Sequence, residues 1–206
     1  MKRIALTGGI ASGKSTVEAI LQRHGVPVVD SDALTHALYE TPELKAHVHQ
    51  HFGASVFEDN DPTATVNRKA LGALVFGDAA KRTLLTDYIH PRVKRQTEAF
   101  FQAHSEAPLV VASIPLLFEV YPLTVIREGY DGVWLVATTP QHQLARLMGN
   151  RGLSEAEAEV RIASQTPIED KVALLNSEWR NEHDAIIVNS DTLDVLAAQV
   201  EALLES

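Results

Sequence analysis

Five short runs of the chain are apolar without alternation: Ile4–Thr7, Val26–Val29, Leu109–Ala112, Val133–Ala137 and Ala185–Val188. Each is rich in β-branched residues. Continuous apolarity of this kind belongs to strands covered on both faces of a parallel sheet. Between the runs the period changes to that of a helix. Val17, Ile20, Leu21 and His24 share one helical face, and Gly25 stands where a left-handed residue ends a helix. Leu193, Leu196, Ala197, Val200, Leu203 and Leu204 repeat that spacing near the end of the chain. Thr139-Pro140 reads as an N-cap and first helical turn, and Ser154 with Glu157 as a capping box.

Strands alternating with helices predict an α/β fold, a five-stranded parallel sheet with helices on both faces. Two stretches break the alternation. Residues 32–105 hold several helical patterns and no convincing strand, and residues 146–180 are helical, polar and charged. Both are expected to be helical insertions on a single unit spanning residues 1–206. Its sheet core comprises residues 1–31, 106–145 and 181–206. Glu58–Thr65 (EDNDPTAT) is the clearest loop.

Composition narrows the classes. A chain of 206 residues that is 45% hydrophobic and 22% charged is ordinary for a globular domain and wrong for a disordered one. Lys and Arg number 18 against 27 Asp and Glu, so the formal charge is 18 − 27 = −9. That balance argues against a nucleic-acid coat or an anionic membrane as partner. The absence of cysteine excludes disulfides, thiolate metal sites and cysteine nucleophiles, and fits a reducing cytoplasm. No apolar run approaches the roughly 18 residues of a membrane helix. The start, MKRIALTGG, has no signal-type apolar region.

The first strand runs directly into Gly8-Gly9-Ile10-Ala11-Ser12-Gly13-Lys14-Ser15-Thr16, which satisfies G-x-x-x-x-G-K-[ST]. Glycines let the backbone curl until successive amides point into one concavity, and the following helix adds its positive end. Lys14 is placed to reach the β and γ phosphates of a nucleotide, and the Ser15 hydroxyl to ligate Mg²⁺. The four fixed positions match by chance in roughly one chain of this length in a hundred. The strand before and the amphipathic helix after the motif make it a nucleoside-triphosphate loop. Gly9, Ile10, Ala11, Ser12, Gly13, Lys14, Ser15 and Thr16 are its candidate binding residues.

Neither N-K-x-D nor D-x-x-G occurs, which disfavours a GTPase. The third strand ends in Ser113-Ile114-Pro115 rather than an acid, which disfavours a motor-type ATPase. Acids follow the second strand instead, in Asp30-Ser31-Asp32. A carboxylate at the carboxyl end of a neighbouring strand can orient or deprotonate an acceptor hydroxyl, the need of a small kinase. Asp32 is the candidate base, and Asp30 is equally suited to capping or support. Arg146, Arg151 and Arg161 fall in or beside the second insertion, a candidate closing lid. Arg146, one turn into the helix after the fourth strand, is placed to act as an arginine finger in cis. His90-Pro91-Arg92-Val93-Lys94-Arg95 is a second basic cluster, suited either to an anionic acceptor or to a solvated helix face. His47, His49 and His51 have no evident carboxylate partner and read as a solvated helix face.

LTGGIASGKST, VPVVDSDAL, NRKALGALVF, IHPRV, PLLFE, QLARLM, RIASQ and VNSD occur in this order along almost the whole chain. Together they resemble the dephospho-coenzyme A kinase family. The resemblance implies a P-loop kinase core with a helical acceptor-binding insertion and a helical lid. It implies transfer of the ATP γ-phosphoryl group to the ribose 3′-hydroxyl of dephospho-coenzyme A. Beside it stand the expectations of Mg²⁺ at Ser15, a cytoplasmic location and a monomer or small homo-oligomer. The resemblance carries the catalytic base onto Asp32, the phosphate lysine onto Lys14 and the lid arginine onto Arg146. Thr7, Arg68, His90, Leu117 and Glu119 match acceptor-side positions, and Asn189 matches a position near the adenine of ATP. Four positions depart from the usual family pattern. Ala11 and Ser113 replace a glycine and an acid, and Asn150-Arg151 stands for Arg-Asp. The competing readings are another small P-loop kinase and a nucleotide-binding regulator without catalysis.

Overall fold

A computed structural model describes residues 1–177 and 180–205. By its contacts the chain divides into two compact units, residues 1–30 with 101–206, and residues 31–100.

The first unit holds five strands: β1 (Lys2–Gly8), β2 (Val28–Asp30), β3 (Leu109–Ser113), β4 (Gly132–Ala137) and β5 (Ala185–Val188). They pair in the order β2-β3-β1-β4-β5, and every pairing is parallel. The α/β expectation therefore holds, with strand bounds moved by up to two residues; the second strand starts at Val28 rather than Val26. Pro27 has no N–H to give a ladder, although its carbonyl still accepts from Val111 N–H at 2.9 Å. The strand also runs one residue further, to Asp30, which stands in register with Ser113.

Alternation is hidden inside the apolar runs. Ile4 and Leu6 of β1, with Trp134 and Val136 of β4, join Val17, Ile20 and Leu21 of α1 (Lys14–Arg23) and Leu196 and Val200 of α11 (Leu193–Leu204). Ala5, Val133 and Leu135 point the other way, into a cluster with Leu117, Ile126 and Leu175. These last belong to α6 (Leu117–Val120), α7 (Leu123–Gly129) and α10 (Ile168–Leu175). Both faces of the sheet are thus covered, which is why its strands are apolar throughout.

Local chemistry sets the helix ends. Gly25 adopts φ +75°, Gly25 N–H donates to Gln22 O and Val26 N–H to Leu21 O, both at 3.0 Å, closing α1 in a Schellman turn. Thr139 caps α8 (Pro140–Arg151) through His142 N–H, and Ser154 and Glu157 form the full capping box of α9 (Glu155–Ala163).

The second unit is helical, with α2 (Ser31–Tyr39), α3 (Pro42–Phe52), α4 (Arg68–Phe76) and most of α5 (Ala79–Ala103). It has its own core, including Leu38, Leu44, Val48, Phe52, Leu71, Leu85 and Ile89. The loop at Glu58–Thr65 is closed by an isolated bridge between Phe57 and Val66. Among the described residues no helix is long and apolar enough to cross a membrane.

Candidate active site

The phosphate loop leaves β1 at Gly8 and enters α1 at Lys14. Its glycines answer to space. A Cβ on Gly8 would sit 2.8 Å from Val136 O, and one on Gly13, at φ +93°, would run into the side-chain amide of Asn189. Ala11 is left-handed too, at φ 56°, which costs a non-glycine residue about 1 kcal/mol. A glycine would adopt that angle without this cost. Inside the loop Ser12 N–H donates to Gly9 O at 3.0 Å, and Thr16 N–H to Gly13 O at 2.9 Å.

Four side chains from outside the loop bind its peptide groups, three at carbonyls and one at an N–H. Arg146 Nη1 donates to Ala11 O and Ser12 O, each at 3.1 Å, and its Nη2 to Asn189 O at 3.0 Å. Asn189, at the end of β5, donates its Nδ2 to Ser12 O at 2.7 Å and is itself held by Thr138 Oγ1 at 2.7 Å. Gln143 Nε2 donates to Ile10 O, while Gln165 Oε1 accepts from Ile10 N–H, both at 2.7 Å. With the Ile10 and Ser12 carbonyls turned to these donors, planar trans peptides turn the N–H groups of Ala11 and Gly13 to the opposite side. That is the arrangement of an anion cradle.

Lys14 Nζ pairs with Glu18 Oε1 at 2.6 Å, and both hydrogen-bond the hydroxyl of Ser113, which is fully buried at the end of β3. Glu18, one turn along α1, is the carboxylate of this cluster. A cavity of about 400 Å³ opens beside the loop, lined by Gly13, Ser15, Thr16, Arg146, Arg151 and Asn189 among others. Arg151 thus reaches the cleft wall, whereas Arg161 is exposed on α9, its charge acting on Glu157.

Thr7 is fully buried beneath the loop, its hydroxyl donating to Pro115 O at 3.3 Å. Glu119 Oε1 is taken by Lys171 Nζ at 2.7 Å and by Thr166 N–H at 3.1 Å. Leu117 corrects its expectation. Its side chain has no exposed surface and packs among Ala5, Ile126 and Leu135, while the neighbouring Leu116 is 41% exposed. Leu117 therefore shapes the turn through packing, and Leu116 offers the apolar surface.

Asp30 closes β2, and Asp32 follows in the first turn of α2, exposed. In the second unit Arg68 opens α4, exposed, near enough to oppose the upward pull of burial on the Tyr39 hydroxyl. His90 is half-buried on α5 before Pro91. Arg92 folds back onto the helix, with its guanidinium 3.4 Å from the Tyr88 ring centroid and Nη1 donating to Tyr88 O at 2.8 Å. His47 departs from the solvated face expected of it, since its ring stacks on Tyr88 at 3.9 Å. Among the described residues no group of three or more His, Cys, Asp or Glu could hold a metal ion.

A family model described as dephospho-CoA kinase matches residues 2–190. The chain belongs to the dephospho-CoA kinase family. A dephospho-CoA kinase of Synechococcus sp. is 37% identical over 99% of this chain and 92% of its own length. A crystal structure of a Thermus thermophilus protein superposes with TM-score 0.80 at 32% identity, covering 99% of this chain and 96% of that one. A Campylobacter jejuni dephospho-CoA kinase shares the fold at TM-score 0.67 and 22% identity, over 98% and 95% of the two chains.

Lys14, Arg146 and Asn189, all candidates from the sequence, converge on the phosphate loop, Asn189 at the Ser12 carbonyl; Glu18, Gln143 and Gln165 there, and Lys171 beside Glu119, were not candidates. Glu18 carried a signal, a carboxylate four residues after the motif lysine on one helix. The two glutamines carried none, because their partner is a peptide group 133 and 155 residues away.

Proposed function

We propose that the protein transfers the ATP γ-phosphoryl group to the ribose 3′-hydroxyl of dephospho-coenzyme A, giving coenzyme A and ADP. The observation that carries this reading is the loop of residues 8–16, its carbonyls held by Arg146, Asn189 and Gln143, in a chain of this family.

Phosphoryl transfer asks the protein for positioning and positive charge more than for covalent chemistry. Loop amides that include those of Ala11 and Gly13 cradle the phosphates, and Lys14 neutralises charge on the transferring group. Arg146 sits between loop and cleft, so one guanidinium both shapes the cradle and faces developing charge. Asn189 borders the nucleoside end of the cleft. Asp32 orients the acceptor hydroxyl and takes its proton as the new O–P bond forms and the bond to ADP breaks. Thr7, Arg68, His90 and Glu119 serve the acceptor side. Residues 32–105 form the acceptor-binding insertion, and residues 146–180 the lid.

The donor set suits Mg²⁺. The Ser15 hydroxyl lines the cleft and is a hard oxygen ligand, and Mg²⁺ takes few protein ligands beside substrate phosphates and water. Ser15 would hold it, and the ion would neutralise charge between the β and γ phosphates. We place the enzyme in the cytoplasm, as a monomer or small homo-oligomer, without membrane or nucleic-acid partners.

The Asp32→Asn variant tests the reading. It should keep ATP affinity within about twofold and lose at least about a hundredfold in turnover, the scale of a general base. Unchanged turnover would remove Asp32 from the reaction.

A further inference from the structure

The connection between α9 and α10 grips two parts of the site at once. Gln165 accepts the Ile10 N–H of the phosphate loop at 2.7 Å. The next residue, Thr166, donates its N–H to Glu119 Oε1 at 3.1 Å, and Lys171 Nζ meets the same oxygen at 2.7 Å. Lys171 has no exposed surface at all, while the Glu119 side chain keeps 18%. An ammonium removed from water is tolerable only with its carboxylate in place, so Glu119 is anchored through one oxygen. Its other oxygen, Oε2, is engaged by neither of these donors, and the side chain remains partly open.

The sheet order says which substrate this carboxylate serves. Arg146 and Asn189 approach the loop from the β4 and β5 side. Glu119 follows β3, which lies on the other side of β1, toward the strand that ends in Asp30. Nucleotide and acceptor therefore divide across β1, and Glu119 falls to the acceptor.

We propose that the segment from Gln165 to Lys171 is a bracket that fixes the phosphate loop and Glu119 in one register. Lys171 is a positioning residue in it, holding Glu119 so that its second oxygen receives a hydroxyl or amide donor of the acceptor. This rests on the kinase reading above.

Kinetics and binding on Lys171→Met, Lys171→Arg, Glu119→Gln and Gln165→Ala test it, with calorimetric ADP affinity and thermal melting alongside. Lys171→Met should raise the acceptor KM about tenfold and leave ADP affinity within about twofold, the signature of lost binding on one side only. Lys171→Arg should recover most of that loss. Glu119→Gln should give the same acceptor defect, and the double variant no further one, because Lys171 acts through Glu119. Gln165→Ala should instead weaken ADP binding about fivefold and speed hydrogen exchange of the Ile10 amide. Equal losses for both substrates that track a fall in Tm would reduce Lys171 to a structural residue, and additive losses in the double variant would uncouple it from Glu119. If Lys171→Met does not fold, Lys171→Arg and Glu119→Gln decide the matter by the same split. If the wild-type protein forms no coenzyme A, the kinase reading fails. The loop half of the bracket is then judged by the Gln165→Ala amide exchange alone, and unchanged exchange overturns it.

Discussion

Arg146 is expected to do two things, and Arg146→Met separates them. In the structure its guanidinium serves Ala11 O, Ser12 O and Asn189 O at 3.0–3.1 Å. Two of these carbonyls keep another donor when it is removed, since Ser12 O retains Asn189 Nδ2 and Asn189 O retains Thr138 Oγ1. Ala11 O loses the donor it has, in a residue already held at φ 56°. One orphaned carbonyl and a lost charge-assisted bond amount to about 2 kcal/mol of loop order. Nucleotide binding must then supply that order, so ADP affinity should fall about 30-fold. Turnover at saturating substrates should fall further, by about a thousandfold, as for other arginines that meet transition-state charge. Calorimetry with ADP and steady-state kinetics measure the two quantities separately. Arg146→Lys should restore little of either, because a single ammonium cannot span three carbonyls. Normal ADP affinity in Arg146→Met, with only turnover reduced, would refute the argument that this arginine builds the cradle.

Two further outcomes follow from the same structure. Asp184, its side chain 4% exposed, accepts from both Nη atoms of Arg127 and from the N–H groups of Val133 and Asn181. Asp184→Asn leaves the Arg127 guanidinium without its counter-charge and should cost about 3 kcal/mol, lowering Tm by about 10 °C in a thermal melt. His47 is held below histidine's ordinary 6.5, first by burial and then by repulsion from His51. The unfolded chain therefore takes up the proton more readily. The stability His47 contributes is complete above pH 6.5 and is lost as pH falls from there through its folded-state value. An NMR titration should put the His47 midpoint below 6.5, and a midpoint at or above 6.5 contradicts the burial of its ring against Tyr88.

Sheet and helix ends were legible in the sequence because their causes are local. Doubly covered strands are apolar throughout, and the Thr139 cap, the Ser154–Glu157 box and the Gly25 turn each depend on residues a few positions apart. The phosphate loop was legible because the same short segment supplies curl, lysine and helix end. The residues that hold the loop from outside were not. Gln143 and Gln165 meet across Ile10 only once α8 and the α9–α10 connection have packed, and nothing in their neighbourhoods marks them. Leu117 misled for the converse reason. It lies in an apolar stretch that suits a binding wall and a core equally, and only packing shows that Leu117 faces inward while Leu116 faces out.

The acceptor distinguishes this enzyme from every other small P-loop kinase. Purified protein incubated with Mg-ATP should convert dephospho-coenzyme A to coenzyme A, detected as the mass of one added phosphate, and should leave nucleoside monophosphates, shikimate and gluconate unphosphorylated. Transfer to one of those alcohols and none to dephospho-coenzyme A would contradict the account, as would ATP binding without transfer to any of them.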